Sequence, residues 1–335
     1  GCPVTQVTVQ IPAISGITPD GQEDFQQFLE KVFPNLPPNT QSSYRSRLSA
    51  YLAFCKEHRS SVPPFTADHR VMRDNIEGFL DWLIVGGRKK STAAAYLSVI
   101  NVMLDAMKIP SPMQSLTFKK LIRLKLERSY AGETVNQANP IEVGMLKRLN
   151  ALGFRDDLDV RNTALVNIAF DTLCRASELA ELRWDDLRDK SILVRRSKTD
   201  QGGHGRYAYV SETSLGLLER LRNITPEHAV FIFNPLRNAH SVYVKEKHGS
   251  QSPLSYQAIV KGMRSALVRC GFNYDDFSAH SGRVGAALEM RKAGLTPLEI
   301  AQAGGWKTAE MVAWYTRHIE LEHSGASKFA EIAGR

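Results

Sequence analysis

The sequence predicts a mainly α-helical protein of two domains, an all-α N-terminal domain followed by a mixed α+β domain with a small β-hairpin. Three observations support this fold class. Apolar residues recur at helical spacing through the first 130 residues, where no convincing strand is found. A polar segment containing Gly and Pro, residues 131–140, then interrupts that period. Beyond it, two runs rich in Val, Ile and Tyr flank a glycine-rich loop, QGGHG, as expected of a hairpin.

The N-terminal domain is expected to contain five amphipathic helices. Their apolar stripes lie in EDFQQFLEKVF, SYRSRLSAYLAFC, NIEGFLDWL, STAAAYLSVINVML and LTFKKLIRLKLERSY. Ser91 precedes the fourth stripe and is predicted to be its N-cap. A chain of 335 residues is long enough for two hydrophobic cores. We therefore predict a flexible arm at 1–20, the helical domain at 21–130, a linker at 131–140 and the second domain at 141–335.

The second domain is expected to open with three helices, in IEVGMLKRLNAL, VRNTALVNIAFDTL and ASELAELRWDDL. The hairpin strands follow in SILVRRSKTD and RYAYVSE. Residues 213–222 are predicted to be helical, and VFIF is predicted to be a short buried strand or turn. Four further helical stretches start from Ser255, and Gly304 and Gly305 interrupt them.

The composition favours a polyanionic partner. Lys and Arg number 43 against 35 Asp and Glu, so the formal charge is +8, with a pI of about 9.3. Nucleic acid or a membrane surface would fit such a charge, but no run of 18 apolar residues could span a membrane. The four cysteines form no CxxC pair, which argues against a disulfide framework or zinc ribbon and favours a reducing cytoplasm. The first residues also lack the charged and apolar regions of a signal peptide.

Several common catalytic motifs are absent from the sequence. It contains no P-loop, no HExxH, no GxSxG and no cluster of carboxylates, and GGHG at 202–205 does not make a dinucleotide-binding GxGxxG. We therefore expect a reaction driven by neither ATP nor metal, with no cofactor.

Cationic residues lie at three separate places in the second domain, and each place has an ordinary alternative. Arg175 and Glu178 lie three residues apart at a helix start. Considered alone, this pair is better explained as a surface ion pair. Lys198, at the hairpin tip, could be a solvated lysine or one delivered to a substrate. His280 and Arg283 are predicted to share a helix face among small residues, which also suits a tightly packed helix pair with an incidental histidine.

Trp306 follows two glycines, and Tyr315 lies on the next helix, where aromatic residues usually belong to the core. Considered with the cationic residues, however, the two aromatics complete a coherent phosphoryl-transfer site. Two arginines can bind a phosphodiester through bidentate hydrogen bonds and stabilise the charge of an in-line transition state. A tyrosine hydroxyl can act as nucleophile in such an electropositive pocket, and Lys198 can protonate the departing 5′-oxygen.

The order Arg…Lys…HxxR…GGW…Tyr resembles that of the tyrosine site-specific recombinases of the phage integrase family. The segments TLCRASELAELR and SAHSGRVGAALEMRKAGLTPLEIAQAGGWKTAEMVAWYTR carry the resemblance, which covers most of the chain. Trp306 is a finer marker, because many members of this family have His there and a subgroup has Trp.

The resemblance implies that Tyr315 attacks a scissile phosphate and forms a 3′-phosphotyrosyl link. The catalytic set would be Tyr315, Arg175, Lys198, His280, Arg283 and Trp306, with Glu178 in support. Two protomers would bind the inverted arms of a double-stranded DNA site, each enclosing the duplex between its domains. Two such sites would meet in a homotetramer and exchange strands through a Holliday junction.

The resemblance further implies that Phe329 and Ile332, on the last helix, dock into a neighbouring subunit, although packing within one chain is the alternative. It also implies a bacterial, cytoplasmic, DNA-associated protein encoded by a plasmid or phage. Two other functions use similar residues: a type IB topoisomerase, which relaxes DNA without exchanging strands, and a DNA-binding regulator that has lost catalysis. The helix after Tyr315 and the character of the N-terminal domain argue against the topoisomerase, and the filled catalytic positions argue against the regulator.

Three segments are expected to contact DNA. The basic face of the fifth helix should meet phosphates, and its residues are Lys119, Lys120, Arg123, Lys125 and Arg128. A second group precedes and opens the fourth helix, where small side chains could enter the major groove: Arg88, Lys89, Lys90, Ser91 and Thr92. The third, Tyr256, Gln257 and Lys261, lies in a segment resembling the helix with which one member of the family reads its site. That member has Arg at the position of Gln257, and since Gln suits adenine, we expect a different target sequence.

Overall fold

The computed structural model describes residues 16–132, 139–195, 205–316, 329 and 332–334. The chain forms two compact units, Gly1–Val135 and Asn136–Arg335. Helices dominate both units, and every named strand lies in the second, which confirms the predicted fold class. Most of the predicted N-terminal arm and of the predicted linker lies outside the described residues. Among the described residues, no helix is long and apolar enough to cross a membrane.

The first unit contains helices α1 to α5. Their bounds are Pro19–Gln27, Pro38–His58, His69–Val85, Lys90–Ala106 and Leu116–Ser129. The prediction that Ser91 caps α4 is wrong. Lys89 has the extended backbone of an N-cap, and its carbonyl accepts the Ala93 N–H at 2.9 Å, so the helix begins two residues earlier and Ser91 lies in its first turn.

The core of the first unit is built on aromatic residues. Tyr51, Phe65 and Phe79 are fully buried, and the Tyr51 ring packs edge-on against both phenyl rings at centroid distances of 5.4 and 5.2 Å. The Tyr51 hydroxyl donates to the carbonyl oxygen of Pro64 at 2.6 Å, which satisfies the one polar group this ring carries inward. Burial raises the pKa of Tyr51, so the hydroxyl stays protonated.

The second unit contains helices α6 to α13. Their bounds are Val143–Ala151, Asp157–Thr172, Ala176–Ala180, Glu212–Ile224, Tyr256–Arg269, Ser281–Lys292, Pro297–Gly304 and Ala309–Thr316. Helix α7 lies at the centre, with 11 of its 16 residues buried, and contacts α9, α10 and α11. The segment ASELAELRWDDL is helical over a shorter stretch than predicted, because α8 ends at Ala180 and a 3₁₀ turn follows at Trp184–Asp186.

The predicted hairpin is present as part of a three-stranded antiparallel sheet. Strands β1 (Leu187–Arg188), β2 (Ser191–Val194) and β3 (Arg206–Tyr209) lie in that order, with Val194 opposite Arg206. At the end of β2, Arg195 forms a bidentate ion pair with the buried carboxylate of Asp186, at 2.6 and 2.7 Å. The hairpin loop, residues 196–204, lies outside the described part of the chain.

Two small hairpins were not expected. They pair β4 (Leu236–Arg237) with β5 (Ser241–Val242), and β6 (Glu246–Lys247) with β7 (Ser250–Gln251). Of the residues in VFIF, only Phe231 makes a bridge, so this segment is a buried turn rather than a strand. The cysteines that the structure describes, Cys55, Cys174 and Cys270, are free and buried.

Candidate active site

A strained turn sets the position of Arg175. Helix α7 ends at Thr172, and Leu173 follows in the left-handed conformation, with φ of 52°. For a residue with a side chain this conformation costs about 1–2 kcal/mol, and burial of the Leu173 side chain helps to hold it. The turn leads directly to Arg175, the N-cap of α8. Backbone strain of this kind is concentrated at functional sites.

Glu178 fixes Arg175 from one turn further along. The backbone N–H of Arg175 donates to Oε2 of Glu178 at 2.9 Å, and the guanidinium donates to Oε1 at 2.7 Å. The side chain of Glu178 is 3% exposed and that of Arg175 is 18% exposed. The alternative of a surface ion pair therefore does not hold, because the carboxylate is buried and held from both its oxygens.

A third residue, Arg206, joins this pair and was not identified from the sequence. Its guanidinium lies 3.9 Å from Oε2 of Glu178. It also donates to the carbonyl oxygens of Thr172 at 2.7 Å and Ala303 at 3.0 Å. Nothing in the spacing of RYAYVSE distinguishes this arginine from an ordinary strand residue, since its partners are distant in sequence.

His280 and Arg283 lie at the start of α11. His280 is the N-cap, its carbonyl oxygen accepts the Val284 N–H at 2.8 Å, and Arg283 follows three residues later, so both residues belong to the first turn of this helix. The small residues of this helix permit close approach of other backbone. A Cβ on Gly282 would lie 3.1 Å from Cβ of Ala169, and one on Gly285 would collide with the backbone of Ile141. The packing alternative is therefore also correct: α11 both packs closely and carries the two polar groups.

Arg283 is 3% exposed and links two turns of the backbone. Its Nη1 donates to the carbonyl oxygens of Leu173 and Gly304, the latter at 2.8 Å. Its Nη2 is buried without a hydrogen-bond partner, and Arg283 makes no ion pair with any residue in the described ranges. Burial, with repulsion from Arg175, lowers the pKa of Arg283 to about 10, so the group stays charged at neutral pH.

Trp306 and Tyr315 pack against Arg283 and against each other. The Arg283 guanidinium lies 3.7 Å from the centroid of the Trp306 ring, and the Trp306 and Tyr315 rings are 5.9 Å apart. Gly304 and Gly305 make the turn possible. A Cβ on Gly304 would collide with the indole of Trp306, and Gly305 has φ of 62°. Trp306 and Tyr315 are thus core aromatics, as the ordinary alternative holds, and at the same time neighbours of the buried cation.

A cleft of about 590 Å³ opens beside these groups. His280 and Tyr315 both line it, together with Trp314, Arg264 and Ser278. Partial burial of the imidazole, then repulsion from Arg283 and Arg175, lowers the pKa of His280, and Glu178 opposes this only in part. His280 is therefore neutral at pH 7 and can accept a proton as well as donate one.

We use the name arginine cluster for Arg175, Arg206 and Arg283 with Glu178. It places three guanidinium groups around one carboxylate, next to the cleft that Tyr315 lines. Such an excess of buried positive charge is unfavourable without an anion and suits a phosphate group. The structure thus brings together six of the seven predicted catalytic residues. The seventh, Lys198, lies outside the described residues.

The residues predicted to contact DNA are mostly exposed. This holds for Arg88, Lys89, Lys90, Ser91, Lys119, Lys120, Arg123, Tyr256, Gln257 and Lys261, whereas Thr92 and Lys125 are partly buried. Lys125 donates to Glu77 at 2.9 Å and Asp81 at 2.8 Å, so two carboxylates of α3 already neutralise it. Phe329 and Ile332, predicted to dock into a neighbouring subunit, are 66% and 85% exposed.

Comparison with known proteins gives consistent matches. The Phage integrase family matches residues 144–322. Recombinase cre of Escherichia phage P1 is 26% identical over 297 residues, which is 84% of each chain. Tyrosine recombinase XerD of Oceanobacillus iheyensis is 29% identical over 170 residues, which is 49% of this chain and 52% of the relative.

Solved structures show the same fold. The Tn1549 transposon integrase, in complex with circular intermediate DNA, has a TM-score of 0.62 at 17% identity and covers 93% of this chain and 98% of its own. The XerH site-specific recombinase, bound to palindromic difH substrate, has a TM-score of 0.60 at 16% identity and covers 92% of this chain and 84% of its own.

Proposed function

The chain belongs to the phage integrase family, and from this premise we propose that Tyr315 is the nucleophile with which it cleaves and rejoins DNA. The resemblance to tyrosine site-specific recombinases, predicted from the sequence, is confirmed. The protein is an enzyme of site-specific DNA recombination, and its partner is DNA. The roles of individual residues and the assembly described below belong to the proposal.

The proposed reaction is a transesterification at phosphorus. The Tyr315 oxygen attacks the scissile phosphate, a tyrosyl–phosphate bond forms, and the bond to the 5′-oxygen breaks in line with it. Neutral His280, on the same cleft, accepts the phenol proton, and Lys198 gives a proton to the departing 5′-oxygen. The reverse attack by a 5′-hydroxyl of a partner duplex restores the phosphodiester, so the ester conserves the bond energy.

Arg175 and Arg283 hold the non-bridging oxygens of the phosphate as negative charge grows on them, and the indole N–H of Trp306 is a further donor. Guanidinium groups already fixed by protein contacts need little reorganisation during the reaction. Arg175 is held by Glu178, and Arg283 by two backbone carbonyls. The single observation that carries this proposal is the charge of the arginine cluster, three buried or half-buried cations around one carboxylate, next to a cleft lined by Tyr315.

The assembly we propose is a homotetramer that brings two inverted-repeat sites together and passes through a Holliday junction. Two relatives with the same fold were solved with difH substrate or circular intermediate DNA, which supports duplex DNA as the ligand. The exposed side chains of Phe329 and Ile332 would dock into the next subunit.

The experiment begins with duplexes enriched from a randomised pool by binding to the wild-type protein. A nick placed near the cleavage point lets the short strand diffuse away, so the covalent protein–DNA adduct accumulates and is measured on a denaturing gel. We expect Tyr315→Phe to bind this DNA as the wild type does and to form no adduct. Tyr207→Phe, which changes an exposed tyrosine on β3, is the matched control and should form it normally.

An adduct that persists in Tyr315→Phe would assign the nucleophile to another residue. Relaxation of supercoiled DNA by a wild-type protein that never joins two duplexes would instead identify a topoisomerase. Binding without any adduct in the wild type would identify a regulator that has lost catalysis.

A further inference from the structure

Arg206 and Arg283 both donate hydrogen bonds to two backbone carbonyls, and each acceptor of Arg206 lies one residue before the corresponding acceptor of Arg283. Arg283 donates to the carbonyl oxygens of Leu173 and Gly304. Arg206 donates to those of Thr172 and Ala303. Two arginines therefore join the end of α7 to the end of α12 through successive carbonyls. The last carbonyls of a helix carry partial negative charge, and a cation placed there is favourable.

The two segments that these arginines join carry the catalytic groups. The end of α7 leads through the Leu173 turn to Arg175, and the end of α12 leads through two glycines to Trp306. Arg206 also fits closely against that second turn, since a Cβ on Gly305 would lie 2.7 Å from Cδ of Arg206. The side chain of Arg206 is 15% exposed, so it is fixed by its surroundings rather than free in solvent.

Arg206 has an electrostatic effect as well. Glu178 is 3% exposed and faces Arg175 through one oxygen, at 2.7 Å, and Arg206 across the other, at 3.9 Å. If Arg175 were the sole cation on this carboxylate, the two would form a closed neutral pair. With Arg206 present, the three groups together carry one positive charge, which can act on a phosphate bound at Arg175.

We propose that Arg206 is a positioning residue for strand cleavage: it joins the Arg175 turn to the Trp306 turn and shares Glu178, so that Arg175 keeps net positive charge for the scissile phosphate. This inference rests on the proposed function of the arginine cluster. It concerns a residue that makes no proposed contact with DNA itself and acts through its neighbours.

The test measures the single-turnover rate of adduct formation on the enriched, nicked duplex. Arg206→Met removes the charge and keeps most of the side-chain length. We expect it to slow cleavage by about tenfold or more, with the dissociation constant for DNA little changed. Arg206→Lys should recover part of the rate because it restores the charge. Arg188→Met, on the exposed strand β1 of the same sheet, is the control and should cleave at the wild-type rate.

A double-mutant cycle separates charge sharing from a merely structural role. In a Glu178→Gln background there is no carboxylate to share, so Arg206→Met should cost much less than it does in the wild type. The same loss in both backgrounds, or wild-type cleavage by Arg206→Met, would overturn the proposal. If Arg206→Met does not fold, as judged by thermal unfolding, the same cycle is run with Arg206→Gln, which also removes the charge, and a coupling energy of zero there would overturn the proposal equally.

The outcome of the double-mutant cycle does not depend on which tyrosine is the nucleophile. Failure of the proposed function appears as an adduct in Tyr315→Phe, and failure of this inference appears as additivity in the cycle.

Discussion

Two cationic regions of this protein, α5 and the arginine cluster, differ in how far carboxylates neutralise their cations. On α5, two cations are matched by carboxylates: Arg123 pairs with Glu127 at 2.8 Å, and Lys125 pairs with Glu77 and Asp81. In the arginine cluster, Arg175 and Arg206 share the single carboxylate of Glu178, and Arg283 forms no ion pair with any of the described residues. Both regions look basic in the sequence, but in the second the cations are largely buried and outnumber the carboxylate they surround.

This difference distinguishes cations that bind an anionic ligand from cations that only stabilise the fold. Exposed ion pairs such as that of Arg123 contribute little, about 0–1 kcal/mol, and are screened by salt. A buried cation without a counter-ion is costly, so a fold that keeps one next to a cleft has an anion to receive. Arg283 is such a cation, since it is 3% exposed and forms no ion pair within the part of the chain that the structure describes.

The largest effect is expected from weakening the buried cation. Arg283→Lys keeps the positive charge but cannot make two fixed hydrogen bonds to backbone carbonyls and face a phosphate as well. We expect adduct formation to slow by about 10²–10³-fold, the usual cost of one lost transition-state donor. The rate is measured under single-turnover conditions with saturating protein, so that DNA affinity does not enter.

Arg291→Lys, on the same helix, is the matched control for Arg283. Arg291 donates to the carbonyl oxygen of Leu295 at 3.2 Å and lies outside the arginine cluster. It should cleave at close to the wild-type rate. Equal losses in the two variants would show that any arginine of α11 matters for packing, and the contrast with α5 would lose its catalytic meaning.

The sequence predicted most of this site because the motif residues identify themselves by type and order. Arg175, Glu178, His280 and Arg283 all lie where their segments suggested, near helix starts. Arg206 could not be found in this way, because its partners Thr172 and Ala303 are 34 and 97 residues away. Contacts of that range are decided by tertiary packing, which leaves no period or spacing in the local sequence.

One smaller error, at Ser91, and one contact that the sequence did not reveal, at Lys125, have the same origin. Lys125 looked like part of a continuous basic face, yet its partners Glu77 and Asp81 come from α3. Ser91 is a good capping residue by type, but α4 begins at Lys90 with no side-chain cap. Local preference is a weak prior, and a neighbouring helix or one extra backbone hydrogen bond is enough to override it.

The same contrast can be tested within α5 alone. Lys119 is exposed, whereas Lys125 is held by two carboxylates. If Lys119 contacts a phosphate, Lys119→Ala should reduce the slope of log K against log salt by about 0.9. Lys125→Ala should change that slope less, because its loss removes a cation already neutralised.

Dissociation constants between roughly 50 and 300 mM salt, taken by fluorescence anisotropy on the enriched duplex, measure both slopes. Lys125→Ala should instead lower the unfolding midpoint, since it leaves Glu77 and Asp81 without their shared cation. Matching slope changes in the two variants would mean that Lys125 leaves its carboxylates when DNA binds, and that pairing in the free protein does not predict the contact.

The smallest expected effect is the uptake of a fraction of a proton when DNA binds, at His280 beside the arginine cluster. In the free protein, partial burial and the charges of Arg283 and Arg175 lower the pKa of His280, so the imidazole is neutral at pH 7. A phosphate bound between these arginines offsets their charge, which raises the pKa of His280 towards its ordinary value of about 6.5. Binding near pH 6 should therefore take up protons, and uptake should vanish by pH 8.

The number of protons taken up on binding is measured by calorimetric titrations with the enriched duplex, in two buffers of different ionisation enthalpy. His280→Asn should abolish the uptake of protons, whereas the control Lys125→Ala should preserve it. Uptake that persists in His280→Asn would assign the titrating group to another residue. Release of protons instead of uptake would mean that no phosphate binds beside these arginines.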